Sequence, residues 1–182
     1  MSVNEEPRPL QRSLIPPKAE ATREIVPFTR DGGTGELLAP DLVKALVLYG
    51  QKYSLDPYAG ELIYFYNQPY VTERGAVHNA IRSGRYRGHA VSLVPAEERK
   101  AMGLADNDYV YRCEVWVKDV EEPVAEFGEV TWKEVQEALE RYKDRAQYLP
   151  IVKSPGKMAR ARAIRRAHLL AFPLKGGENA QP

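Results

Sequence analysis

The chain has 182 residues, 43% of them apolar and 28% charged, which is enough for one domain with a hydrophobic core. Its formal net charge is only +1, so affinity for an anion must come from local clusters of cations. The single cysteine, Cys113, excludes an intramolecular disulfide framework and fits a reducing cytoplasm. No apolar run approaches 18 residues and no signal pattern begins the chain, so we expect neither membrane insertion nor secretion.

The first 37 residues differ in composition from the rest. They hold five prolines, scattered charges and a glycine-rich segment at residues 31–35, without a sustained apolar period. This composition is typical of a flexible arm, and in an assembling protein such an arm can reach a neighbouring subunit. We therefore predict an arm over residues 1–37, one globular domain over 38–173 and a polar tail over 174–182.

The domain begins with a helical pattern that is followed by a small hairpin. Apolar residues recur at helical spacing over Pro40–Tyr53. Residues 61–66 and 69–72 read as two short strands joined by Asn67 and Gln68.

Thr72 is well placed to cap a second helix, Glu73–Arg82, which Gly84 closes. Polar side chains recur along this helix at i, i+4 and i+8, and positive charge continues past its end: Arg74, His78, Arg82 and Arg85. A histidine between two arginines is more often a surface residue than a catalytic base. We therefore treat this row as a candidate binding surface.

An antiparallel sheet is predicted in the middle of the chain. Residues 86–94 alternate as a strand, and residues 95–103 form a short charged helix or loop. Residues 108–118 alternate as in a sheet covered on one face, and Val124–Val130 returns beside them as a long hairpin.

A third helix follows this hairpin. Thr131 and Glu134 form a capping box, and the helix is predicted to end near Asp144. Its buried stripe is expected to comprise Val135, Leu139 and Tyr142. Residues 147–152 read as an extended connector.

The last helix is basic and amphipathic. Ser154 as N-cap and Pro155 as first residue predict a helix over Pro155–Ala171. In and just before it lie six cations: Lys153, Lys157, Arg160, Arg162, Arg165 and Arg166. No Asp or Glu occurs between residues 153 and 177, so their repulsion is uncompensated within the helix, and we expect an anionic partner. The alternative is an ordinary surface helix with a solvated charged face.

At about 100° per residue, the six cations do not share one side of the helix. Arg162, Arg165 and Arg166 fall within one arc, whereas Lys157 and Arg160 point toward the alanine-lined side. Small alanines allow another backbone or a ligand to come close, so we predict two separate sets of contacts.

Common catalytic motifs are absent from the sequence. It contains no phosphate-binding loop, no Cys-x-x-Cys, no His-Glu-x-x-His and no Gly-x-Ser-x-Gly. We therefore predict a non-enzymatic protein without a cofactor or a metal site.

Several segments, in this order, resemble the RecT/Redβ (Bet) family of phage single-strand annealing proteins. Residues 52–63 are similar to its lysine-tyrosine-glycine-leucine-aspartate-proline segment, with Ser54 in place of the usual glycine. Residues 70–88 resemble its strand, helix start and glycine-x-tyrosine-x-glycine, and Trp132 corresponds to a tryptophan of relatives. Residues 154–172 resemble its proline-x-basic-methionine helix, which ends in alanine-phenylalanine.

The resemblance implies an α+β fold with a Rad52-like core of antiparallel hairpins packed with helices, including the basic helix, which lines a DNA groove. It implies ATP-independent binding of single-stranded DNA and annealing through a duplex intermediate, by a homo-oligomeric ring or helical filament. It also implies a phage- or prophage-encoded protein of the bacterial cytoplasm that acts in recombination and repair. Candidate partners are a phage 5′ to 3′ exonuclease and the host single-strand binding protein. Relatives engage these through a C-terminal domain, which is not matched before Pro182.

Candidate DNA contacts follow from matching positions in the basic helix. Lys157, Arg160, Arg162 and Arg166 match basic or polar positions, and Arg165 matches an arginine of RecT-like members. Gly156 and Leu169 depart from the pattern, because some relatives carry a lysine and an arginine there. We add Lys153 and the row from Arg74 to Arg85 as candidate contacts, and we expect Arg162→Ala with Arg166→Ala to abolish annealing while the fold survives.

Two other function classes stay open at the level of sequence. A passive single-stranded DNA coating protein explains the basic helix equally well, but it would slow the pairing of complementary strands instead of accelerating it. A nuclease is the third class, although its acidic metal-binding cluster is not visible in the sequence.

Overall fold

A computed structural model of the chain describes residues 29–175, so most of the predicted arm and tail lie outside the described residues. The fold is mixed α+β with antiparallel hairpins, as predicted. In chain order the elements are α1 (Pro40–Tyr53), β1 (Leu62–Phe65), β2 (Gln68–Val71), α2 (Glu73–Arg82), β3 (Tyr86–Leu93), α3 (Ala96–Ala101), β4 (Tyr109–Val117), β5 (Val124–Val130), α4 (Trp132–Tyr142), a 3-10 helix (Lys143–Tyr148), α5 (Pro150–Lys153) and α6 (Pro155–Ala171).

The main sheet has three antiparallel strands in the order β3-β4-β5, and α6 lies across one of its faces. The alternation of β4 turns one set of side chains toward this helix. The core between sheet and helix consists of small and β-branched residues together with the cysteine: Cys113, Val115, Val117, Ala163, Ile164 and Ala167. Burial raises the pKa of the Cys113 thiol to about 11.

Helix α6 approaches β5 closely because neither surface carries a large side chain there. A Cβ atom on Gly128 would lie 2.1 Å from the backbone N of Ala163 and 2.2 Å from the backbone O of Ala159. Ala159 and Ala163 are themselves fully buried. The small alanines therefore do admit a second backbone, and that backbone is β5 of the same chain.

The β1–β2 hairpin packs with α1 and α2 in a second core. Its turn residues are Tyr66 and Asn67, both with positive φ (47° and 63°), the conformation of a type I′ turn. The turn predicted at Asn67 and Gln68 was therefore wrong by one residue, because Gln68 already pairs with Phe65.

Asp31 stabilises this turn from outside the hairpin. Its carboxylate accepts hydrogen bonds from the backbone N–H of Tyr66 (3.2 Å) and Asn67 (3.0 Å), and also from Gly33 and Thr34. Burial raises the pKa of Asp31, but these four hydrogen bonds outweigh it, so the net pKa is lowered. Residues 29–37 are thus packed against the hairpin, and the predicted arm extends too far into the domain.

Helix positions were otherwise predicted well, with two corrections near α4. Within α4, Ala138 is buried and Leu139 is 38% exposed, because the buried stripe is rotated from the predicted one. The predicted extended connector at 147–152 is instead largely helical, with Pro150 at the first position of α5.

Ser54 ends α1 in the left-handed region, with φ 55° and ψ 43°. Only glycine adopts this conformation without steric cost from a Cβ atom. The residue that departs from the resembled motif is therefore placed where that motif's glycine would be favoured.

Candidate nucleic-acid interface

A groove of about 980 Å³ runs between α6, the β1–β2 hairpin and the segment that leads through Tyr148 into α5. Six cations from three helices and their flanks line it: Arg74, Lys153, Lys157, Arg162, Arg165 and Arg166. Two carboxylates, those of Glu73 and Glu134, also line it. Cations therefore outnumber acids in this groove, in a chain whose net charge is close to zero.

Arg162 is anchored within the protein. Its Nη1 donates to the backbone O of Glu129 (2.6 Å) and to both carboxylate oxygens of Glu134 (3.0 and 3.2 Å). Glu134 also accepts from the backbone N–H of Thr131 in the capping box. Arg162 consequently joins α6 to β5 and to the start of α4.

Arg166 makes a similar contact one turn further along α6. Its Nη1 donates to the backbone O of Phe127, at 2.9 Å. Phe127 and Glu129 are two residues apart on β5, which pairs with β4 on its other side. The two arginines therefore satisfy carbonyls along the outer edge of this strand, which would otherwise be unpaired.

Arg165 reaches across the groove to the hairpin. Its Nε donates to the backbone O of Val71 (2.6 Å), and its guanidinium lies 4.2 Å from the ring centroid of Tyr70. The hydrogen bond and the cation–π contact hold the hairpin beside α6. Arg165 thereby sets the distance between α6 and the β1–β2 hairpin, the two walls of the groove.

Three groove cations have no such anchor. Within residues 29–175, Arg74, Lys153 and Lys157 make no ion pair, and each is exposed. An ammonium or guanidinium without an internal partner keeps its full capacity to bind a phosphate.

Lys157 lines the same groove as the three arginines of α6, whereas we predicted that it points toward the alanine-lined side. The groove-lining face runs from Lys157 through Ala161 and Arg165 to Arg166, about half of the helix circumference at 100° per residue. The remaining half is the alanine face that packs on the sheet. Only Arg160 is separated from the arc, as predicted.

Arg160 lines a different pocket, of about 660 Å³, between α2 and β3. It pairs with Glu73 at 3.6 Å, and its neighbours there include His78 and His89. His78 is paired with the buried carboxylate of Glu61. Burial lowers the pKa of His89, and the nearby Arg160 charge lowers it further.

The other two cations of the predicted polar row also make internal contacts. Arg82 donates to the backbone O of Ser54 and of Tyr53 at the end of α1, and Arg85 donates to the backbone O of Lys118 (3.2 Å). The predicted row is therefore not one surface. Arg74 lines the groove, whereas Arg82 and Arg85 hold the backbone at the end of α1 and after β4.

Sequence reasoning missed the acids and the exposed aromatic residue of the groove. Glu73 and Glu134 lie on other elements, so the absence of acids within α6 did not reveal that two of its arginines are paired. Tyr148 is 77% exposed and lines the groove beside Lys153. The signal for Tyr148 was weak, because its segment was expected to be extended.

Comparison with known proteins does not identify the chain. No protein-family model matches it, and no curated protein matches it.

Across residues 29–175, no three His, Cys, Asp or Glu side chains are grouped so that they could hold a metal ion. None of the helices formed by those residues is both long and apolar enough to cross a membrane.

Proposed function

We propose that this chain binds single-stranded DNA in the basic groove and anneals complementary strands without ATP. The observation that carries the proposal is the convergence of six cations on one groove, three of which make neither an ion pair nor a side-chain hydrogen bond among residues 29–175. The groove also carries an exposed aromatic ring, that of Tyr148. Cations along a groove together with exposed aromatic side chains are the usual means of binding single strands without sequence preference.

The chemistry of annealing fits this arrangement. Complementary strands repel each other through their phosphates, and cations that neutralise one backbone remove much of that repulsion. Lys153, Lys157 and Arg74 supply the contacts to phosphate, while the anchored arginines keep the groove open and contribute to its positive potential. The bases stay available for pairing because the protein contacts lie mainly on the backbone.

The wider proposal follows the resemblance to the RecT/Redβ family. It comprises a Rad52-like core, assembly into a ring or helical filament, and a role in phage-type recombination in the bacterial cytoplasm. Each subunit would bind only a few nucleotides, so affinity depends on many subunits acting on one strand. A phage exonuclease and the host single-strand binding protein are the proposed partners.

The two free lysines provide the most direct test. We expect Lys153→Ala with Lys157→Ala to slow annealing of complementary oligonucleotides at least tenfold in a stopped-flow assay. The slope of log affinity against log salt should fall by roughly 1.4, because two single-strand phosphate contacts are lost. The matched control is Lys44→Ala with Lys100→Ala, which removes the same charge from exposed sites outside the groove.

Each outcome of this assay bears on a different function. Annealing by the lysine variant at the parent rate would contradict the proposal. Parent protein that binds DNA but slows pairing would identify a passive coating protein. Shortening of the strands in the presence of magnesium would instead identify a nuclease.

A further inference from the structure

Most of the outer strand edges in the described chain are occupied by hydrogen bonds. On β5, arginines of α6 bond to the carbonyls of Phe127 and Glu129. On β2, Arg165 bonds to the carbonyl of Val71, and on β1 the backbone N–H of Gly32 bonds to the carbonyl of Tyr64 at 2.7 Å. These contacts prevent a further strand from pairing at those positions.

Strand β3 is the exception. The backbone N–H of Val94 donates to Val110 of β4, so even-numbered residues of this strand direct their hydrogen-bonding groups toward β4. The backbone groups of His89, Val91 and Leu93 then point outward. Across residues 29–175 no backbone hydrogen bond and no further strand pairs with them, so β3 is an unpaired edge of the sheet.

We propose that this edge binds β3 of a second copy of the chain, antiparallel and centred on Val91. In this register, Val91 faces its own counterpart, and His89 of each copy faces Leu93 of the other. The outward groups of these three residues form the new hydrogen bonds, and the three-stranded sheet becomes a continuous six-stranded sheet. The interface is isologous, so each copy contributes the same surface.

The apolar surface beside the edge fits this partner. Leu93 is 55% exposed, and its side chain would lie next to His89 of the other copy. There it meets the 660 Å³ pocket lined by Val77 and Ile81, and Ile81 is itself 57% exposed. Two exposed apolar side chains of each copy are thus covered by the same pairing, which burial from water favours.

The charges at the two ends of β3 are complementary in the same register. Arg85 and Arg87 lie at the start of the strand, and Glu97 follows its end. Antiparallel pairing brings the start of one copy beside the end of the other. Arg87 and Glu97 are exposed and make no ion pair within the described residues, so each has charge available for its counterpart. A parallel arrangement would instead place like charges together.

Proline at Leu93 tests the edge selectively. The N–H of Leu93 points outward, so Leu93→Pro removes no hydrogen bond of the three-stranded sheet, and edge strands tolerate proline in this position. Leu93→Val is the matched control, because it keeps the N–H and most of the apolar surface. By sedimentation or light scattering, we expect the Leu93→Pro assembly to have half the mass of the Leu93→Val assembly, with helix content by circular dichroism unchanged.

A disulfide trap tests the register and does not depend on the proline variant folding. Ala90 and Ser92 are exposed on the outer face and face each other across the proposed interface as a non-hydrogen-bonded pair, the closer kind. Under mild oxidation, an Ala90→Cys chain mixed with a Ser92→Cys chain should give a mixed disulfide. Either chain alone should give little, because identical positions lie on the longer diagonal. The buried Cys113 does not interfere.

The outcomes do not depend on whether the protein anneals DNA. A mixed disulfide in high yield, together with halving of mass by proline, supports the β3 interface. Equal mass for the Leu93→Pro and Leu93→Val proteins, or no preference for the mixed disulfide, overturns it. Preferential disulfide formation between Ala90→Cys and a cysteine introduced among residues 1–28 of the same chain would assign the edge to that segment and would also overturn the proposal.

Discussion

The two faces of α6 meet opposite physical demands. The inner face is built from alanines that pack against β5 at backbone contact distance, and it tolerates no added atoms at Gly128. The groove face carries long cations around half of the circumference. One face of this basic helix therefore packs against the sheet as part of the core, and the other face forms the candidate binding surface.

The cations that line the groove divide further by chemistry. Arg162, Arg165 and Arg166 each donate to a backbone carbonyl, whereas Lys153 and Lys157 have no internal partner within residues 29–175. A guanidinium offers five donors in a rigid fork, so it can hold a carbonyl and still direct charge into the groove. A run of cations in a sequence is thus not a uniform binding surface.

Disrupting the inner face should give the largest loss of stability. We expect Gly128→Ala to lower the free energy of unfolding by about 3 kcal/mol, because the added Cβ meets the backbone of α6 and the helix must move. Gly156→Ala is the matched control on α6, where the nearest atom is the Tyr109 ring at 3.1 Å. Urea unfolding gives the free energy of unfolding of each variant. Similar losses for Gly128→Ala and Gly156→Ala would show that the close contact between β5 and α6 is unimportant.

Removing the best-anchored arginine should come next. We expect Arg162→Ala to cost about 2 kcal/mol, since it leaves the Glu129 carbonyl and part of Glu134 without a partner. Arg166→Ala, at an exposed site with one hydrogen bond, should cost clearly less. We expected Arg162→Ala with Arg166→Ala to leave the fold intact. The stability of this double variant must be measured before annealing is assayed, because a partly unfolded protein would also fail to bind DNA.

The β1–β2 hairpin, which forms the other wall of the groove, can be destabilised by a substitution at Asp31. Asp31→Asn replaces the oxygen that accepts from Asn67 with a donor, and we expect a loss of about 1 to 2 kcal/mol at pH 7. The lowered pKa of Asp31 stabilises the fold above its unfolded pKa near 4, and this contribution is lost as pH falls through the folded value. The difference between parent and variant should therefore shrink as the pH is lowered below about 4, and a constant difference in urea unfolding would contradict this explanation.

The smallest effect on stability is expected for the free lysine of the groove face. Lys157→Ala should change the free energy of unfolding by no more than about 0.5 kcal/mol, because its side chain is exposed and makes no ion pair among residues 29–175. Thermal melting of this variant beside Arg162→Ala sharpens the division between lysines and arginines. A loss as large as that of Arg162→Ala would show that the division is incorrect.

Local periodicity and prolines at helix starts predicted several elements together with their bounds. The bounds of α1, α2, β5 and α6 agree with prediction, and the Thr131 capping box is present. The predicted hairpin turn was wrong by one residue. The turn residue Tyr66 is hydrogen-bonded to Asp31, which lies 35 residues away in sequence, so no local pattern indicates this contact. The connector was wrong because its helical turns have little amphipathic pattern of their own.

By itself, the sequence determined an α+β chain that ends in a basic helix, because periodicity, capping residues and charge composition are properties of neighbouring residues. Only the tertiary structure decided which cations share a groove and which are already occupied. Glu134, Glu129 and Phe127 come from other elements, and no pattern within α6 indicates where their oxygens lie. Hydrogen bonds depend on distances between atoms that are remote in sequence, so only the fold distinguishes the anchored arginines from the lysines without a partner in the described residues.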